Sequence, residues 1–132
     1  MASCKQELKD VLIDDSQILE CSIVANLTPV RQEDDQYDLT VNYHANISHI
    51  GEREAFLDLT IEVDGGDAPT YDVEIVTRTK FIFSDKATEK EKDAYLRNEG
   101  MYRAFDFAKT YIKTITSLGV WDALVLPGPH RG

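Results

Sequence analysis

The chain has 132 residues, a formal net charge of −10 and 42% hydrophobic residues. That is one globular domain, spanning 1–132, able to remove roughly two thirds of its unfolded surface from water without staples. The acidic balance offers no cluster of Lys and Arg to neutralise phosphates, which argues against nucleic acid as a partner. Two cysteines, Cys4 and Cys21, are too few for a disulfide framework. No apolar run reaches the length of a signal-peptide core or a membrane span, so the expectation is a cytoplasmic chain with reduced thiols and no membrane insertion.

In chain order, the first strand is predicted from Leu19, Cys21, Ile23, Ala25 and Leu27, which share one face if the segment is extended. Upstream, Leu8 to Ile13 alternates weakly, and Asp14-Asp15-Ser16 reads as a bulge or a break. The stretch from Thr28 to Gln36, with Pro29 and the run Glu33-Asp34-Asp35, reads as a loop. The second strand is cleaner: Tyr37, Leu39, Val41, Tyr43, Ala45 and Ile47 alternate with Asp38, Thr40, Asn42, His44 and Asn46. Ala55 to Val63 repeats the pattern, with Phe56 the one apolar residue on the polar side. After the turn signal Asp64-Gly65-Gly66-Asp67, a fourth strand carries Tyr71, Val73, Ile75, Thr77, Thr79, Phe81 and Phe83 inward. Half-wet strands joined by short turns predict an antiparallel sheet. Its outer face would carry Asp38, Asp58, Glu62, Asp72 and Glu74, either as a solvated surface or as a docking face for a basic partner.

Two helices are predicted after the strands. Thr88-Glu89-Lys90-Glu91 has the form of a capping box and opens a short helix to about Asn98, with Glu99-Gly100 as its stop. A longer helix follows from about Met101 to Leu118. At about 100° per residue, Met101, Ala104, Phe105, Ala108, Ile112 and Ile115 form one stripe, which Phe107, Tyr111 and Leu118 widen to roughly 160°. Such a stripe either sits deep in a monomeric core or touches its own sheet on one side and another subunit on the other. The second reading sets the expectation of a homo-oligomer, because one small sheet covers about one stripe.

At this point the residues carry a resemblance. A four-stranded antiparallel sheet, a helix ending in Thr114-Ile115-Thr116-Ser117-Leu118-Gly119, and then Ala123-Leu124-Val125-Leu126-Pro127-Gly128-Pro129-His130 resemble the carboxy-terminal half of the SecB family of export chaperones. The match covers about Asp38 to His130 and is sharpest from Tyr102. It implies an α+β SecB-like domain: a four-stranded antiparallel sheet with a C-terminal pair of helices packed on one face. It also implies an ATP-independent holdase that needs no cofactor, assembled as a dimer or a dimer of dimers, a homotetramer. Its clients would be unfolded polypeptides. Where export chaperones often have Pro-Tyr-x-Arg entering the long helix, this chain has Met101-Tyr102-Arg103 without the proline. An antitoxin therefore stands beside an export motor protein as a possible partner.

Under that reading Tyr102, Phe107 and Tyr111, with Trp121, Leu124 and Leu126 after the helix, would line a groove for extended apolar segments. Asp58, Glu62, Asp72 and Glu74 would form the acidic docking face. The rival class is a small-molecule-binding α+β enzyme, using His44 or His49 with Asp58 or Glu52 as acid and base. No nucleophile elbow, phosphate-cradling loop or metal-ligand spacing supports it, and no catalytic centre is expected. A structural adaptor of a larger assembly is the other alternative.

Overall fold

A computed structural model describes residues 11–27, 39–66 and 68–127. The expected loop from Thr28 to Gln36, Tyr37, and the tail at His130 lie outside the described residues. Four strands, β1 (Val11–Ala25), β2 (Thr40–Ile50), β3 (Glu54–Asp64) and β4 (Tyr71–Phe83), form one antiparallel sheet in the order β1-β4-β3-β2. β2, β3 and β4 are a meander and β1 returns beside β4, a Greek-key arrangement with β1 and β2 at the edges.

Alternation decides the faces. Ala55, Leu57, Leu59, Ile61 and Val63 of β3, with Tyr71, Val73, Ile75, Phe81 and Phe83 of β4, form the inner face and are all buried. Each such aliphatic side chain removed from water contributes about 1.5–3 kcal/mol. Thr77 and Thr79 join that face as expected, and the Thr79 hydroxyl bonds the Ser16 hydroxyl at 2.8 Å. The β2–β3 turn uses Gly51 at φ 82°, which an L side chain rarely adopts.

The first strand departs from its predicted register. It begins at Val11, and its pairing with β4 shifts between Ile18 and Glu20. This bulge makes Leu19 the extra residue and moves the inward set from Ser16 and Ile18 to Cys21, Ile23 and Ala25. Leu19 is half-exposed and Leu27 stands beyond the strand in solvent, so neither belongs to the inner face. The side-chain amide of Asn26 donates to the carbonyls of Gly66 and Ala68, fastening the end of β1 to the β3–β4 turn.

The capping box forms as expected: Thr88 accepts the Glu91 amide at 3.1 Å, and the Glu91 carboxylate accepts the Thr88 amide at 2.8 Å. The break at Gly100 does not. Helix α1 (Glu89–Tyr95) passes through a π-helical turn (Leu96–Gly100) into α2 (Met101–Thr116), so the predicted pair is one joined helix. Gly100 keeps helical dihedrals, and a Cβ there would stand 3.3 Å from the Phe81 ring. Its role is close approach to the sheet rather than termination.

Candidate functional site

The joined helix crosses the middle of the inner face. Ala104, Phe105, Ala108 and Ile112 are buried against β3 and β4, while the inner faces of the edge strands stay partly open. A trough therefore flanks the helix on each side.

On the β2 side, a trough of about 580 Å³ has Leu39, Val41 and Leu59 along the sheet, Met101 and Phe105 along the helix, and Pro127 from the segment after the helix. Tyr43 stands in it, its ring edge-on to Phe105 at 5.2 Å and its hydroxyl donating to the Pro127 carbonyl at 3.0 Å. Partial burial raises the Tyr43 pKa, so the phenol stays a donor. On the β1 side, a trough of about 540 Å³ is more polar. Its sheet side is the Ser16–Thr79 hydroxyl pair, and its helix side includes Arg103, Asp106, Phe107, Thr110 and Tyr111.

The expected groove residues separate on this frame. Phe107 and Tyr111 line the β1-side trough and are half-buried, and Tyr102 is half-buried on the same helix. Trp121 is half-buried, with its indole N–H donating to the Asn26 carbonyl at 2.9 Å. Leu124 and Leu126 are in the core of this chain, 5% and 1% exposed, because the segment after the helix is extended and lays alternate side chains inward. The β2-side residues Leu39, Val41, Tyr43 and Met101 were not singled out as a groove. They were legible only as members of apolar stripes, and nothing in their spacing marks which edge the helix leaves bare.

The acidic face also divides. Arg78 holds Asp58 bidentately, at 2.8 and 2.9 Å, and stacks over the Phe56 ring at 4.6 Å. That accounts for the apolar residue on the wet face. The hydrogen bond and charge of Asp58 raise the Arg78 pKa. The Asp72 carboxylate accepts the Gly65 amide at 2.8 Å and shapes the β3–β4 turn. Glu62 and Glu74 are direct cross-strand neighbours, exposed, and without an ion-pair partner among the described residues. Like charges so placed repel.

His44 stands opposite Thr60 on the outer face and His49 near the end of β2, both exposed and lining neither trough. Among the described residues no group of three or more His, Cys, Asp or Glu side chains is placed to hold a metal ion. Among the described residues no helix is long and apolar enough to cross a membrane.

A Greek-key sheet with one long helix across its inner face and an extended segment returning beside that helix is the SecB-like chaperone fold. Among the solved structures it is similar to is that of the Mycobacterium tuberculosis SecB-like chaperone Rv1957, in complex with a ChAD peptide from the Rv1956 HigA1 antitoxin. The TM-score is 0.72 over 95% of this chain and 94% of that one, at 12% sequence identity. No family model matches the chain, and no curated protein matches it by sequence.

Proposed function

We propose that this protein is an ATP-independent chaperone, a holdase that binds unfolded or partly folded polypeptide along its inner sheet face. The observation that carries this reading is the β2-side trough, an open apolar channel with Phe105 and Tyr43 as aromatic walls, on a fold shared with a peptide-holding chaperone. Apolar walls of this kind accept segments whose own core has not formed, and the ring faces add contact at low entropic cost. The half-buried Phe107 and Tyr111 make the β1-side trough a second contact or a subunit seam.

Assembly follows from what the helix leaves uncovered. Leu118 and Val120, in the turn after α2, are 83% and 62% exposed, and Ile115 in its last turn is half-exposed. Exposed apolar side chains so close together in the chain favour a partner subunit, in a dimer or a homotetramer. Glu62 and Glu74, exposed and without an ion-pair partner among the described residues, favour clients or docking proteins rich in Lys and Arg. The antitoxin peptide held by the SecB-like neighbour supports an antitoxin-type client.

The test is suppression of aggregation. Equimolar protein, without nucleotide, is expected to hold a chemically denatured, unrelated client in solution, and Tyr43→Ala is expected to weaken that effect while the fold persists. No suppression at several-fold excess of the native protein would refute the holdase reading.

A further inference from the structure

After the helix, residues 122–127 run as a strap with no strand partner among the described residues. Leu124 and Leu126 are buried while Val125 between them is 56% exposed, the alternation of a strand laid on an apolar floor. Among the described residues, no backbone-to-backbone hydrogen bond ties this strap to the sheet. Side chains fasten it instead. The Thr116 hydroxyl accepts the Leu124 amide at 2.8 Å, and Tyr43 donates to the Pro127 carbonyl at 3.0 Å. Pro127 is also part of the lining of the β2-side trough. Strap and trough therefore meet at Pro127 and Tyr43 and form one continuous track, one part of it filled by Ala123–Pro127.

We infer that Ala123–Pro127 is an intramolecular ligand of this track, and that a client segment of the same form binds by displacing it. That form is extended, uncharged, with branched aliphatic side chains two residues apart. The inference rests on the polypeptide-binding reading above and adds the ligand's chemistry and the exchange. Leu124 and Leu126 belong to the core cluster, so lifting the strap with nothing in its place would wet apolar surface. Exchange for a like segment conserves that burial. Tyr43 couples the two halves: its ring lines the open part and its hydroxyl holds the end of the filled part. A segment entering the trough presses on that ring.

The experiment uses the full-length chain and a fluorescein-labelled peptide copying residues 123–127, with a control peptide carrying Ser at both leucine positions. Thr116→Val removes the anchor of Leu124 at similar volume, and Tyr43→Phe frees the Pro127 carbonyl while keeping the ring. Each variant is expected to bind the leucine peptide about fivefold more tightly than the native chain, the equivalent of one lost hydrogen bond. The serine peptide is expected not to bind, and hydrogen exchange at the Leu124 amide is expected to accelerate when the leucine peptide or a denatured client is present. Binding that leaves Leu124 protection unchanged, with both variants at native affinity, would overturn the exchange and leave polypeptide binding standing. Failure of the native chain and both variants to bind any peptide or denatured client would overturn both.

Discussion

The phenol oxygen of Tyr71, the first residue of β4, accepts the amide of Trp121 at 2.9 Å and donates at 3.3 Å toward the carbonyls of Thr116 and Trp121. One hydroxyl thus holds the exit of α2 and the start of the strap against the sheet. Tyr71→Phe keeps the ring and leaves a half-buried amide without its acceptor, a loss of about 1–3 kcal/mol. Urea unfolding followed by the fluorescence of Trp121, the chain's one tryptophan, is expected to show a lower midpoint; an unchanged midpoint would remove Tyr71 from this role.

Gly119 passes so close to Tyr71 that a Cβ would overlap the phenol oxygen and ring edge. Gly119→Ala is therefore expected to destabilise by about 1–3 kcal/mol, the usual range for overpacking. The same unfolding assay reads it, and a neutral outcome would mean that the helix exit relaxes freely.

Thr88→Ala removes the capping side chain of α1 and leaves the Glu91 amide to water. The expected loss is about 1 kcal/mol, and Thr88→Ser should recover most of it. A loss equal in both variants would point to the methyl group rather than the hydroxyl.

The Lys92 ammonium, itself buried, bonds the Glu52 carbonyl and meets the Glu89 carboxylate at 2.6 Å, which holds the Glu89 pKa below its ordinary value. A folded pKa below the unfolded one means that the folded state binds fewer protons in that window. The contribution is present above the ordinary carboxylate range and is lost as pH falls through the depressed folded value. Urea midpoints taken from about pH 6 to about pH 3 are expected to fall less steeply for Glu89→Gln than for the native chain. Parallel curves would show that the pair does not couple to folding.

Leu118 stands almost fully in solvent in the turn after α2. If that turn belongs to a subunit seam, light scattering of the native protein gives a mass well above 14.9 kDa, and Leu118→Asp lowers it toward that value. A native monomer would undo the oligomeric reading.

The sequence alone carried the three clean strands, because side-chain direction alternates every residue and one face must be dry. Val41, Tyr43, Ala45 and Ile47, and the inner sets of β3 and β4, lie where that alternation places them. It also carried the capping box, whose partners are three residues apart and need no tertiary context. What it misplaced depended on distant neighbours. Leu19 alternates correctly with Cys21 in the sequence, yet the pairing of β1 with β4 inserts a bulge between Ile18 and Glu20. Gly100 reads as a helix stop by type, yet it lies inside a continuous helix, where a Cβ would crowd the Phe81 ring at 3.3 Å.

The candidate site divides along the same line. Local order determined that this chain has one dry sheet face, a helix with more apolar surface than one sheet needs, and a leucine-rich segment after it. Only the tertiary structure decided which of those surfaces remain open. Leu124 and Leu126 are as apolar as Leu39 and Val41, but the strap lays the first pair into the core and the second pair stands beside a trough. The hydrophobic effect is non-directional, so composition and spacing say how much surface must be buried, and the packing of one helix across four strands says which part is left for a partner.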